Sequence, residues 1–353
     1  MGLCLSSVSS VVHTESNEKE NILHQNAIYC EARNQIVLPN GAQGSIGSVY
    51  SRTGSKGLNQ DAGILYQGYG TDDEAFAGVF DGHGKKGHLV SSIVRNRLPS
   101  LILSQIRTAL ADAKQPSPPH YQEPEETGSG KMAETSQAWS EVCASAFNVM
   151  DKEIKLQDDI DHSASGTTAV VVIRRGEEIV VANLGDSRAV LGRVNEHGEL
   201  SAIQLTTDLK PSVPSEAERI RKCKGRVLAL KGEPHIQRVW LPYEDMPGLA
   251  MSRAFGDFLL KDHGIVAVPD ISCHRISPED LFIVLATDGV WDVMGNNDVV
   301  AVARSALEGG KSAAKAVVDA AAAAWKRRFP SSKVDDCTVV CISLQGSRQE
   351  DKS

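Results

Sequence analysis

Ala75-Phe76-Ala77-Gly78-Val79-Phe80-Asp81-Gly82-His83-Gly84 is the stretch from which the rest of the chain can be read. Residues 75–80 are apolar and rich in aromatic and β-branched side chains, the composition of a buried strand. They run straight into an acid, a glycine, an imidazole and a second glycine. A carboxylate at the end of a strand is held by the sheet, so its oxygens are aimed at one fixed spot. Gly82 lets the backbone approach whatever sits there and offers its carbonyl as a ligand, and His83 can pass a proton near neutral pH. Alone, Asp-Gly-His-Gly reads more simply as a polar turn. Its weight comes from other aspartates placed the same way.

The arrangement recurs. Ile283-Val284-Leu285-Ala286-Thr287 leads into Asp288, residues 179–183 lead into Leu184-Gly185-Asp186, and Asp335-Asp336 precede a closing strand. Asn59-Gln60-Asp61 stands at the edge of an expected first hairpin. An acid beside an apolar strand is costly to desolvate unless it is paired or bound to a cation. Carboxylates clustered with a backbone carbonyl suit hard cations, Mg²⁺ or Mn²⁺, which keep several waters. Two such ions close together can bridge a hydroxide and steady a phosphoryl group during in-line attack. A nearby histidine can then protonate the leaving oxygen.

The 353 residues, 41% hydrophobic, suffice for one large domain with a sizeable core. A net charge of −8 disfavours nucleic acid as a partner, and with it a nuclease reading of the acids. Seven scattered cysteines without a Cys-x-x-Cys pair argue for reduced thiols and against a disulfide frame or zinc. Cys337 and Cys341 share one side of a strand and are expected in the core. No run approaches the ~20 apolar residues of a membrane span. The opening Met1-Gly2-Leu3-Cys4-Leu5-Ser6 fits N-myristoylation of Gly2, with Cys4 as a palmitate acceptor. A single acyl chain anchors only marginally, so the second matters. The expectation is peripheral attachment to the cytoplasmic face of the plasma membrane or another membrane, with a cytosolic or nuclear pool.

Polar residues 1–44 are expected to be a flexible tail, 45–346 the folded domain and 347–353 a second tail. Strands are expected over 47–51, 75–80, 166–173, 178–184, 189–193, 200–205, 281–286 and 338–344. The short turns between them indicate antiparallel sheet rather than βαβ units. Helices are expected over 87–110, 134–156, 215–222, 297–307 and 311–328, the first kinked or interrupted by Pro99. Residues 113–133 read as an insertion loop and 224–250 as a long irregular excursion. His162, His235 and His263 are expected on the surface or in that excursion. Lys326-Arg327-Arg328 suits the C-terminal end of a helix dipole.

The set GSKGLNQDA (54–62), FDGHG (80–84), SGTTA (165–169), NLGDSRAVL (183–191), LAMSRAFGD (249–257), ATDGVWDVM (286–294) and DDCTVV (335–340) resembles the type 2C metal-dependent protein phosphatases. The motifs stand in the family's order across roughly residues 47–345. The resemblance implies an α+β fold, a four-layer α-β-β-α sandwich of two antiparallel sheets flanked by helix pairs, with a binuclear metal site at one end. It implies hydrolysis of phosphoserine and phosphothreonine by attack of a metal-bridging hydroxide.

Carried over by position, Asp81 bridges two Mg²⁺ or Mn²⁺ ions, the carbonyl of Gly82 ligates one, and Asp288 and Asp335 hold the other. Asp61 acts through water, and Asp186 with Asp288 serves a weaker third ion. Thr168, Ser252 and Asp292 match positions close to the centre, where water-mediated supporting bonds are expected. His83 matches the general acid and Lys56 the phosphate contact. The implied partners are phosphoproteins, kinases or receptors among them, met by a monomer whose variable flap is 224–250. Many members carry Arg at the position of Lys56 and Glu at that of Gln60. Lysine lacks the bidentate fork and an amide brings no charge to the metals. These two departures favour a second reading, a phosphatase-fold regulator that binds a kinase or receptor. Intact Asp81, Asp288, Asp335 and His83 speak against it.

Overall fold

Strands apolar on both faces must be covered on both faces, and this requirement generates the layers of the molecule. The computed structural model describes residues 27–30, 46–112, 128–331 and 333–345. In chain order the strands are β1 (Ala27–Cys30), β2 (Gly47–Arg52), β3 (Asp61–Gln67), β4 (Glu74–His83), β5 (Gly166–Thr167), β6 (Ala169–Arg175), β7 (Glu178–Leu184) and β8 (Arg188–Val194). They continue as β9 (Leu200–Gln204), β10 (Arg226–Leu230), β11 (Glu233–Trp240), β12 (Pro247–Leu249), β13 (Phe255–Gly256), β14 (Asp270–Arg275), β15 (Asp280–Ala286) and β16 (Cys337–Ser343). The helices are α1 (Gly87–Asp112), α2 (Gly128–Lys155), α3 (Pro214–Lys222), α4 (Phe258–Lys261), α5 (Asp288–Trp291), α6 (Asn296–Glu308) and α7 (Ala313–Arg328).

One antiparallel sheet runs β1-β3-β4-β6-β7-β14, with β5 and β13 attached beside β4; the other runs β2-β16-β15-β8-β9. Alternation along the strands divides each between two cores. On β4, Phe76 and Phe80 point toward Leu98, Ile102 and Phe147 of α1 and α2. Ala77 and Val79 point inward, where they share a core with Leu191, Ile283, Leu285, Val340 and Ile342 of the second sheet. On the far side, Phe282, Val284, Val339 and Cys341 meet Val300, Val317 and Trp325 of α6 and α7. The architecture is therefore α-β-β-α in four layers, as expected, and Cys337 and Cys341 are core residues.

Several local expectations are corrected. β2 pairs with β16 and not with β3, so the chain crosses between sheets over 53–60, and the hairpin with Asp61 at its edge is β3-β4. β4 continues through Asp81, Gly82 and His83, and the turn begins only at Gly84, φ 79°. Pro99 lies inside an uninterrupted α1. Its neighbours Leu98 and Ile102 are fully buried, and its carbonyl accepts the Tyr69 hydroxyl at 2.6 Å. Residues 224–250 are not irregular but form the three-stranded sheet β10-β11-β12, which packs Val227, Val239 and Leu249 against Ile220 and Leu260. Within the expected tail, Ala27–Cys30 form a strand on β3; the rest of 1–44, including Gly2 and Cys4, lies outside the described residues. Of the expected insertion loop, 113–127 also lies outside them, and α2 already begins at Gly128. The tail 347–353 lies outside the described residues too.

Candidate metal centre

The ends of β4, β7 and β15 and the starts of β3, β8 and β16 meet at one end of the sandwich, and the acids ride on these ends. Asp61 opens β3 directly opposite Asp81 on β4. Thr168 fastens Asp81 in place, accepting its N–H on Oγ1 at 3.0 Å and donating its own N–H to Asp81 O at 2.9 Å. Thr287, which precedes Asp288, donates its hydroxyl to Asp61 Oδ2 at 2.8 Å and accepts Thr338 N–H at 3.1 Å. That one side chain ties the first sheet's acid to the second sheet's strands. Asp336 accepts the N–H groups of Gly54 and Gln60, both at 2.8 Å, and so pins the 53–60 crossing. Asp335 beside it contacts Lys56 Nζ.

Crowding of like charges is the centre's main electrostatic feature. Burial first, then the charges of Asp288, Asp61, Asp335 and Asp186, push the Asp81 carboxyl well above the usual range. Asp288 is pushed well above it by burial and then by Asp186, Asp292 and Asp335, partly offset by a hydrogen bond with the Asp81 carboxyl. Asp61 is pushed up to about 7 by burial and Asp336, against the Thr287 bond. Asp292 keeps an exposed edge, yet surrounding protein raises its carboxyl as well. Asp186 is raised chiefly by burial, and its Oδ1 is buried without a hydrogen-bond partner.

Among the described residues, no three His, Cys, Asp or Glu groups stand close enough to hold an ion as they are. The donors are nonetheless all oxygen, mutually repelling, and include an unpartnered buried carboxylate oxygen. This chemistry fits a hard divalent cation.

His83 is the last residue of β4 at the same edge. Its Nε2 lies 2.6 Å from Asp257 Oδ2, and Asp257 is only 1% exposed. Burial works against the imidazolium, but the Asp257 charge and hydrogen bond override it and hold the His83 pKa above its ordinary value. Asp257 reaches this position from a left-handed backbone, φ 51°, with its N–H on Ser165 O at 3.0 Å. Gly166 makes room for the pair: a Cβ there would stand 2.3 Å from Asp257 Oδ2 and 2.8 Å from His83 Nε2.

Comparison with known proteins adds the decisive observation. The family model described as protein phosphatase 2C matches residues 50–327. The chain belongs to the protein phosphatase 2C family. It is 54% identical over 304 residues to Probable protein phosphatase 2C 72 of Arabidopsis thaliana, covering 86% of this chain and 87% of that one. It is 48% identical over 343 residues to Probable protein phosphatase 2C 61 of the same plant, covering 97% and 95%. A crystal structure of serine-threonine phosphatase 2C from Toxoplasma gondii superposes with a TM-score of 0.76 over 90% of this chain and 99% of that one, at 24% identity, a likeness of fold.

Within this protein phosphatase 2C, the sequence-expected residues separate into two groups. Asp81, Asp288, Asp335, Asp61, Asp186 and Asp292 feel one another's charge, and Gly82 lies on the strand between Asp81 and His83. Three others have the following neighbours. Lys56 is engaged by Asp335. The Gln60 side chain faces the start of α1, where a Cβ on Gly87 would meet its Oε1 at 2.1 Å. Ser252 donates to Leu209 O at 2.7 Å and Glu216 Oε2 at 2.6 Å, so it supports the centre from behind the 206–210 loop. Sequence reasoning missed Thr287, Asp257 and Lys210, whose Nζ lies 3.6 Å from Asp186 Oδ2. Asp257 ends the quoted LAMSRAFGD motif, and Thr287 stands within ATDGVWDVM; nothing in the pattern marks Lys210.

Proposed function

We propose that this protein phosphatase 2C is a divalent-metal-dependent serine/threonine phosphatase. The observation that carries the reading is the gathering of acids from remote parts of the chain at one end of the sandwich, with the His83–Asp257 pair beside them. Asp81, the Gly82 carbonyl, Asp288 and Asp335 are the groups that would hold Mg²⁺ or Mn²⁺, with Asp186 beside Asp288 for a weaker third ion. Bound there, the ions supply Lewis acidity toward water and phosphoryl oxygens. Thr287 and Thr168 keep Asp61 and Asp81 in place while charge shifts. Lys56 brings an ammonium to the rim, where a phosphoryl group can exchange with Asp335 for it. His83, whose hold on its proton is strengthened by Asp257, is the proton source for the leaving serine or threonine oxygen.

Hydrolysis of a phosphothreonine peptide by the purified protein, with Mn²⁺ and then with excess EDTA, tests this. Turnover should vanish in EDTA and return with Mn²⁺, and Asp81→Asn should lose about a thousandfold in kcat. Full turnover in EDTA would refute the reading. Phosphoproteins are the proposed partners. Among the described residues no helix is long and apolar enough to cross a membrane; we propose peripheral attachment through acylated Gly2 and Cys4. Metabolic labelling with an alkynyl myristate should mark the chain and spare Gly2→Ala; equal labelling of both would exclude it.

A further inference from the structure

The turn Gly185-Asp186-Ser187 carries a carboxylate only 4% exposed. Its Oδ2 lies 3.6 Å from Lys210 Nζ, while its Oδ1 is buried without a partner. The lysine is held there by its own loop. Leu209 N–H donates to Gly185 O at 2.9 Å, and Leu209 O accepts Ser252 N–H at 2.8 Å and Ser252 Oγ–H at 2.7 Å. Asp208 is clamped by Arg188 Nε and Nη2 at 2.9 and 2.6 Å. From this anchored backbone the ammonium lies in the field of Asp186, Asp292, Asp208 and Asp288. Lys210 thus brings a monovalent charge on a flexible stem to the same acids that a loosely held cation would neutralise. An ammonium and a divalent ion against one carboxylate repel each other, so each weakens the other's hold.

We infer that Lys210 is a tethered counter-ion that competes with a divalent cation for Asp186, and that binding of this cation swings the ammonium away. Lys210 stands just before α3, and its neighbour Leu209 is bonded to Ser252 just after β12, so ion binding at Asp186 frees a positive charge between these two segments. The inference rests on the metal-dependent reading proposed above, and it concerns only the weakest ion.

Isothermal titration of the full chain with Mn²⁺, comparing wild type, Lys210→Met and Lys210→Arg, tests it. Loss of a partly exposed ion pair should tighten the weakest Mn²⁺ about fivefold in Lys210→Met, while Lys210→Arg keeps the wild-type value. The Lys210 side chain is 39% exposed, and unchanged melting temperatures would verify that both variants fold. In wild type, amine-reactive labelling of Lys210, read by mass spectrometry, should rise when Mn²⁺ is saturating. An equal or weaker Mn²⁺ affinity in Lys210→Met overturns the competition and leaves the metal-dependent reading intact. Failure of the wild type to bind any Mn²⁺ overturns both.

Discussion

Asp257 holds His83 at 2.6 Å from a left-handed backbone position, a conformation that persists only where neighbours enforce it. The carboxylate raises the His83 pKa against the pull of burial. A general acid must carry its proton, and a raised pKa keeps that proton to higher pH. Asp257→Asn should therefore lower kcat by about tenfold to a hundredfold and move the alkaline limb of the pH–rate profile to lower pH. A uniform drop with an unmoved limb would show that Asp257 acts only through folding. At this scale the acids were legible because each follows or precedes an apolar run. Asp257 was not, because its role depends on the turn that brings residues 165–166 against it, and no spacing encodes that approach. Lys56, Gln60 and Ser252 show the converse: position in a motif told where the residue sits, not which neighbour its side chain would choose.

Between elements, the two sheets are stapled at the end away from the acids by Asp280, the first residue of β15. It accepts Arg193 Nε of β8 at 2.7 Å and Ser277 N–H at 2.8 Å, and pairs with His274 Nε2 of β14 at 2.7 Å. Burial would raise this carboxyl, but Arg193 and His274 dominate and lower it to about 2. A pKa below the unfolded value stabilises the fold above about pH 4 and loses that stabilisation as pH falls toward 2. The shift corresponds to roughly 2 kcal/mol at neutral pH. Asp280→Asn should lower unfolding free energy by about that amount at pH 7, with the difference from wild type shrinking on acidification, as measured by urea titration at several pH values. A difference independent of pH would contradict it. The strands of the sandwich were readable because they are apolar throughout. β10 and β11 were not: they cover only one side, and the exposed Leu228 and Leu230 break any simple alternation. Pro99 does not interrupt α1, whose adjoining Leu98 and Ile102 are fully buried in the core, and tertiary packing of this kind sustains a helix through a poor helix former.

The whole molecule is a sandwich whose three apolar layers bring strand ends from distant parts of the sequence to one edge. Length, charge and strand pattern indicated a large antiparallel domain, while the four-layer order followed from resemblance and is borne out by the topology. The meeting of Asp61, Asp81, Asp186, Asp288 and Asp335 is a property of this global arrangement, and their mutual repulsion is its thermodynamic signature. Such a cluster is stable at neutral pH when cations neutralise it. Anomalous diffraction from crystals grown in Mn²⁺ measures that directly. Two manganese peaks are expected beside Asp81, one also touching Asp288 and Asp335. Mn²⁺-soaked crystals with no anomalous peak in contact with Asp81 would contradict a metal centre at this edge.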